Sequence, residues 1–493
     1  MSTKLAYIGI AVYIVIAFII ALLSRKGEKQ NTMVSYFLGN RKLGGFVSAL
    51  SYSATTYSAF MLVGLAGLTY KGGVGALGFE LIYLMGVSLV TFFGPRFWFA
   101  GQKYGYITPS EMLGDRYNNR HVAVIAALAS CLFLIPYSAV QLSGIGYLLQ
   151  GITNDAVPYT TGVIIATVMA IIFSYIAGIR SVAWTDSLQA LFMIVSSTLV
   201  VIIAVQHFGG FTSFFESIET TRPKLLTVPG NGFFSLATFI GMTLPWVFFS
   251  LSNPQVSQRM FMPKSLKSMR TMIMGFMIFG LIYTLVAVIW GYTAVLQFPE
   301  LESPDLATPM LLSSGIIPPV LAVIVMVGIM AAAISTIDSI LLTLSSLFAK
   351  DVYANVKKDA PDRIQLMVGK IVIPIIAVLA YLFALTEIDL IAMLSVASAA
   401  GLLVLVPATI GTFFWKRGTA SGAISSIIGG GIIVILLEFV PELRPFGLAA
   451  SIWGFLASTL LFIFVSIFTK APVEKAEEFL TYVNGEMKKL YRK

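Results

Sequence analysis

Gly328-Ile-Met-Ala-Ala-Ala-Ile-Ser-Thr-Ile-Asp-Ser-Ile-Leu-Leu342 sits inside an apolar run from about Pro319 to Ala349, long enough to cross a bilayer. Yet it carries Ser335, Thr336, Asp338 and Ser339, with Thr343 just beyond. At 3.6 residues per turn, Ala332, Ser335, Thr336, Ser339 and Thr343 share one face. That face is small and rich in oxygen, whereas the others are Ile, Leu and Met. Small residues let a second helix come close, and hydroxyls beside a carboxylate can replace the water around a small hard cation. For the hydroxyls alone, a Ser/Thr packing seam is the competing reading. Asp338 changes the balance. A carboxyl at mid-membrane depth costs about 2.5–3.5 kcal/mol on insertion scales and is a functional-site candidate by default.

The surrounding chain is of the same kind. It has 493 residues, 57% hydrophobic and only 11% charged, about half the charge fraction of a soluble protein. This composition describes a polytopic membrane protein without separate soluble domains. Cys131 is the only cysteine, which excludes an internal disulfide and argues against a thiolate metal site. His121 and His207 do not fall in a metal-ligand spacing. The first apolar run, near Leu5 to Leu23, is too long and too close to Met1 for a cleaved signal peptide.

Thirteen spans are expected, at about 5–24, 46–70, 75–100, 121–152, 158–177, 180–206, 232–252, 266–297, 319–349, 366–385, 388–415, 419–439 and 448–469. With the N-terminus outside, all but five (Lys4, Lys71, Arg222, Lys224 and Arg444) of the 32 lysines and arginines fall on the cytoplasmic side. They include Arg25, Lys26, Lys29, Arg41, Arg116, Arg180, Arg259, Lys358 and the tail to Lys493. This alternation supports an odd span count and a cytoplasmic C-terminus. It also makes the net charge of +9 a topology signal rather than a nucleic-acid footprint.

Two spans carry break signals. The second holds Ser51-Tyr-Ser-Ala-Thr-Thr-Tyr-Ser-Ala59 where the bilayer centre should be. The seventh has Gly241, Pro245 and Asn253-Pro254. Interrupted helices expose carbonyls, which is tolerated only where protein or water lines them. Two breaks five spans apart, entered from opposite sides, suggest inverted five-span repeats and a transporter whose site lies at the breaks. The expected organisation is a peripheral first span and loop (1–45), a first repeat (46–206), a second repeat (207–415), two further spans (416–469) and a cytoplasmic tail (470–493). The first span lacks interior polar residues. Phe208 to Gly232 and Leu306 to Ile316 read as external loops, with a short capping helix as the alternative. Ile107 to Tyr117 is an internal loop containing a helix start at Pro109 and Ser110. Val473 to Lys493 reads as an amphipathic helix on the anionic leaflet or as a disordered tail.

Four motifs in order resemble the sodium:solute symporter family. They are Tyr36-Phe-Leu-Gly-Asn-Arg41 with Gly45, Ala177-Gly-Ile-Arg-Ser-Val-Ala-Trp-Thr-Asp-Ser-Leu-Gln189, Asn253-Pro-Gln-Val-Ser-Gln-Arg259, and Ala331 to Ser339. The resemblance implies an all-α fold with a leucine-transporter-type inverted five-helix repeat and extra terminal helices. It implies Na+ held by the side chains of Ser335 and Thr336 and the carbonyls of Ala332, Ala54 and Tyr57. Asp186 matches a family acid that some relatives use for a second sodium. The positions below the main site are Asp338 and Ser339, and Asp338 departs from the hydroxyl pattern. It is a ligand, a proton carrier or a neutral hydrogen-bonded acid. The solute is expected near Thr56, Ser58, Tyr137, Trp246 and Ser250. Glu80 either lines the outer vestibule or snorkels at the surface.

The implied function is sodium-coupled import, across the cell (inner) membrane, of a small organic solute such as proline, pantothenate or a small monocarboxylate. Proton coupling on the same fold, a passive solute channel and a non-transporting solute sensor are the alternatives. No nucleophile–base or metal set lies within the spans, so an enzyme is not expected. The expected partners are the solute, sodium and the lipid bilayer, with no nucleic acid and no obligate protein.

Overall fold

The computed structural model of the chain describes residues 3–24, 32–176, 179–357, 359–386 and 390–492. Of the positions named above, Arg25, Lys26, Lys29, Ala177, Gly178, Lys358 and Lys493 lie outside these residues, as does the side chain of Arg180.

Inside a bilayer every peptide N–H and C=O must find a partner within the protein, and a helix supplies them along its own length. The described residues accordingly form helices and no β-strand; one isolated bridge joins Leu43 to Pro263. In chain order the first helices are α1 (Thr3–Ser24), α2 (Met33–Leu38), α3 (Gly45–Thr56) and α4 (Ala66–Gly72). Next come α5 (Gly75–Gly86), α6 (Ser88–Tyr104), α7 (Pro109–Arg116), α8 (Arg120–Ile152), α9 (Tyr159–Ile176) and α10 (Ile179–His207). The second half runs through α11 (Phe211–Thr221), α12 (Leu236–Val247), α13 (Phe249–Ser252), α14 (Pro254–Ser257), α15 (Leu266–Gln297), α16 (Ala307–Ser313) and α17 (Pro319–Leu347). It closes with α18 (Ala354–Val356), α19 (Asp362–Ala384), α20 (Ile391–Leu402), α21 (Val406–Phe414), α22 (Ala420–Phe439), α23 (Ala450–Phe468) and α24 (Val473–Tyr491).

Among the described residues, nine helices are long and apolar enough to cross a membrane, or ten with the bent pair around residue 57 taken as one span. Three shorter apolar helices, Lys4–Ile16, Tyr159–Tyr175 and Leu236–Val247, fall on three further expected spans. At the centre, α17 is buried from Gly328 to Leu347 and packs against α3, α8, α9, α10 and α19. The oxygen-bearing stretch Gly328–Leu342 therefore lies at the centre of the bundle.

Both expected breaks are present. The first separates α3 from a π-helical turn, Phe60–Leu65, and bends the span by 51°. The second falls at Phe248, between α12 and α13, and again at Asn253. Pro245 stays inside α12, and Gly241 serves packing instead: a Cβ there would lie 2.4 Å from that of Ala449.

Four expectations are corrected. The external segment holds the helix α11, because Phe214 and Ile218 at i, i+4 give it a buried stripe. Residues 306–316 likewise hold α16, with Leu311 and Leu312 buried. The tail helix α24 buries Phe479, Leu480 and Val483 against protein rather than lipid. Phe479 stacks on Tyr104 at 5.7 Å and meets Phe413, while Lys475 pairs with Asp115 at 3.0 Å. Finally, three basic residues assigned to cytoplasmic loops, Arg96, Arg116 and Arg259, are buried. Arg116 donates to the carbonyls of Thr412 and Trp415 (3.1 and 3.0 Å), where the end of α21 leaves acceptors free. Arg96 lies over the Phe92 ring at 4.1 Å, and Arg259 belongs to the site below. The expected helix start after Ile107 is present. Thr108 caps α7 by accepting from Glu111 N–H (3.0 Å), while the Glu111 carboxylate accepts from Ile107 N–H (2.8 Å).

Phe479→Ala should cost the tail docking about 3 kcal/mol. Limited proteolysis should then clip the chain near residues 470–473, with the membrane core intact on gel filtration.

Candidate functional site

A helix that stops in mid-membrane strands its last carbonyls. In α3 these are the carbonyls of Ala54 and Thr55, and α17 and the Asn253–Arg259 segment meet them. The Thr336 hydroxyl lies 3.3 Å from the Ala54 oxygen and 3.5 Å from that of Thr55. The Gln255 amide donates to Thr55 O at 3.3 Å and lies 3.5 Å from Thr336 O. Gln255 is held there because Asn253 caps α14, accepting Gln255 N–H at 2.9 Å. Ala332 is fully buried on the same face of α17. Tyr57 ends α3 in a non-helical conformation.

One turn inward lies a ring of charge. Asp186 on α10 accepts from Ser335, from Ser51 at 2.6 Å and from Thr55 at 3.4 Å. Arg259 is 3.6 Å from the Asp186 carboxylate and donates to Ser51 Oγ (2.6 Å) and Ser339 Oγ (2.8 Å). A tethered guanidinium thus occupies the space between Asp186 and Ser339. Asp338 does not join them. It accepts from Ser174 on α9 at 2.8 Å.

Of the expected solute residues, Tyr137 and Trp246 fall into one aromatic cluster. Trp246 lies 4.5 Å from Phe249, 5.4 Å from Tyr83, 5.4 Å from Phe60 and 5.8 Å from Phe79, between ring centres. Tyr137 reaches it through Phe249 at 5.8 Å. Ser250 is buried beside Phe249 on α13. Thr56 and Ser58 spend their hydroxyls on the backbone at the break, Thr56 on Tyr52 O (2.6 Å) and Ser58 on Phe60 N–H (3.3 Å). Glu80 is buried, 1% exposed, which removes the snorkelling alternative.

Arg259, Gln255 and Tyr83 were absent from the expected set. Arg259 and Gln255 stand in the motif Asn253–Arg259, and a cation six residues after the Asn253 break was the available signal. Tyr83 follows Glu80 by one helical turn.

Residues 304–308, which lead into α16, pack against the broken span. Thr308 donates to Leu62 O, and Asp305 accepts Ile391 N–H, at the start of α20, at 2.7 Å. Gly67 is required there, since a Cβ would sit 2.8 Å from Pro304 O and 2.9 Å from Asp305 Oδ1. Burial pushes the Asp305 carboxyl up to about 7, against the pull of the Ile391 amide and Lys71.

Two discontinuous helices meeting a hydroxyl-bearing one at the centre of an all-helical bundle define a secondary transporter, not an enzyme. The chain matches the sodium:solute symporter family over residues 36–430 and belongs to that family. It is therefore a multi-pass membrane protein and a sodium-coupled symporter. It is 28% identical to the sodium/pantothenate symporter of Escherichia coli (strain K12) over 92% of this chain and 94% of that protein. It is 26% identical to the osmoregulated proline transporter OpuE of Bacillus subtilis (strain 168), over 99% of this chain and 98% of that one. The fold is similar to that of a Na+-coupled sialic acid symporter in a substrate-bound outward-open state, with a TM-score of 0.77 at 19% identity. The match covers 95% of this chain and 98% of the other. The architecture is of the leucine-transporter type.

Two predictions follow from this geometry. A Cβ at Gly280 on α15 would lie 2.2 Å from the Tyr57 hydroxyl, so Gly280→Val should cut uptake at least tenfold, and adding Tyr57→Phe should restore part of it. The raised Asp305 pKa, against about 3.9 unfolded, means stability present below about pH 4 is lost as pH rises through about 7. The wild-type Tm should fall between pH 5 and 7 relative to Asp305→Asn.

Proposed function

We propose that this symporter imports a small organic solute with one sodium ion. The ion is held by the hydroxyls of Ser335 and Thr336 and the carbonyls of Ala332, Ala54 and Tyr57. The observation that carries this reading is the approach of Thr336 to the Ala54 and Thr55 carbonyls. Two helices that close at a helix break leave oxygens whose natural complement is a desolvated cation. In this reading Ser335 turns from Asp186 to the ion when sodium enters. Arg259 stands in for a second cation beside Asp186 and Ser339, which supports a single sodium.

The proposed solute pocket is the aromatic cluster, with Thr56, Ser58, Tyr137, Trp246, Ser250 and Glu80 at or near its wall. Proline, named for one relative, and pantothenate, named for another, are both candidates. Residues 46–206 and 207–415 would act as the two inverted repeats, rocking about the site. Residues 1–45, 416–469 and the tail 470–493 would flank them. We place the N-terminus outside and the C-terminus in the cytoplasm of the cell (inner) membrane.

The driving force suffices. One sodium falling through roughly 100 mV gains about 2.3 kcal/mol. A tenfold gradient adds about 1.4 kcal/mol, and together they sustain roughly 500-fold accumulation of a neutral solute. Each ligand then raises affinity for the other by linkage.

Ser335→Ala or Thr336→Ala should abolish sodium-stimulated uptake in proteoliposomes; full stimulation in a well-folded variant would refute the site. Proton coupling is the second reading. It is favoured by Asp338, a buried acid held by a hydroxyl rather than by a cation. Uptake measured under separately imposed sodium and proton gradients discriminates the two. In that assay Asp338→Asn should abolish proton-driven uptake and leave sodium-driven uptake within about threefold.

A further inference from the structure

We infer that the tail helix α24 is an autoinhibitory strap, docked across the cytoplasmic ends of both proposed repeats, where it holds the inner side closed and slows transport. The inference rests on the proposed rocking of residues 46–206 against 207–415.

The tail is tied to both sides of that divide. On the first, Glu478 accepts from the Tyr104 hydroxyl at 3.0 Å and pairs with Lys103 at 3.7 Å, and Lys475 pairs with Asp115. Lys103 and Tyr104 end α6, and Asp115 lies on α7. On the second, Phe479 packs 5.8 Å from Phe413 of α21, and Glu477 pairs at 3.0 Å with Lys416 just beyond it. One apolar stripe, Ala476, Phe479, Leu480, Val483 and Met487, is buried beneath these pairs. A helix held from both sides resists any motion that parts them.

The element under the strap is one that joins the two proposed repeats at this end. Thr108, at the start of α7, donates to Asp351 on the π-helical turn Phe348–Tyr353 at 2.6 Å, and Lys350 pairs with Glu111 at 3.5 Å. The Gln258 amide donates to Ile107 O at 2.9 Å. Just past α7, the Tyr117 hydroxyl donates to Ala408 O of α21 at 2.6 Å, beside the bonds from Arg116. Inward opening must loosen this set, and Lys475 holds α7 in place through Asp115. The tail's docking energy is thereby added to the barrier for a conformational step, the kind that sets many turnover rates. The six side chains of the three ion pairs are between 22% and 62% exposed, so salt screens them. Cytoplasmic ionic strength therefore loosens the strap before it weakens the buried bond of Thr108 to Asp351.

The test uses the full-length protein. Hydrogen–deuterium exchange of residues 346–353 and 258–261, which lie behind α7, needs no solute. Phe479→Ala, with its tail shown free by proteolysis, should speed that exchange about threefold or more. Initial rates in proteoliposomes, with proline and pantothenate as probes, should show Vmax raised about threefold and the KM for sodium unchanged. Raising salt on the cytoplasmic side from about 50 to about 500 mM, with osmolality matched, should raise Vmax in wild type and not in Phe479→Ala. Glu477→Lys should act in the same direction and adding Lys416→Glu should reverse it; this exposed pair decides the matter where Phe479→Ala does not fold. A tail that only supports the fold would lower Vmax when freed. Vmax at or below wild type, or unchanged exchange behind α7, in the folded variants would overturn the strap. Carriage of neither probe, or no sodium stimulation in any of the proteins, would instead overturn the proposed function, and the exchange rates would still decide the strap.

Discussion

A peptide carbonyl in the middle of a bilayer must be met by a protein donor or by a ligand. At Ala54 and Thr55 the helix gives up its own donors, and much of the molecule is arranged to meet that deficit. Thr336 from the bundle's central helix and Gln255 from a capped turn both converge there. A side-chain partner, unlike the helix's own N–H groups, can be exchanged for an ion. A continuous helix could offer no such exchange, since its carbonyls would be spent on its own N–H groups.

The charge beneath the break follows the same rule at higher stakes. A buried carboxylate or guanidinium is tolerated only when paired and hydrogen-bonded, and removing one partner costs about 3–5 kcal/mol. Asp186 and Arg259 share Ser51 as a hydrogen-bonding neighbour, and Ser335 and Ser339 complete the ring. Because Ser335 belongs both to this ring and to the proposed ion site, arrival of a cation would alter the satisfaction of Asp186. With that site, the broken helix, α10, α17 and the Arg259 segment would be coupled through one hydroxyl. Glu80 is the contrast: its Oε2 is buried without a hydrogen-bond partner.

Several local features were legible in the order of residues. The polar run Ser51–Ala59 signals a break, because so dense a run of polar residues in a span is tolerated only where protein or water lines it. Thr108-Pro109 announced a helix start through capping chemistry. At α11 and α16 the sequence leaves loop and short capping helix open, with loop preferred, because each is short and amphipathic and only burial of Phe214 or Leu311 against a neighbour stabilises so few turns. Arg116 and Arg259 were read as loop charges because alternation along the chain reports where a residue sits in sequence. It does not report whether its side chain folds back onto a helix end or a buried acid.

The sequence by itself determined the class of molecule, the approximate spans, the two interruptions and the oxygen-bearing face of α17, since hydropathy, periodicity and breaker residues act locally. Only the tertiary structure decided which acid meets which partner. Asp186 and Asp338 are equally anomalous in a span, yet one faces Arg259 and the other Ser174. That choice depends on the rotation of one helix against its neighbours. Such rotation is set by contacts between residues far apart in the chain, where composition and spacing carry no information.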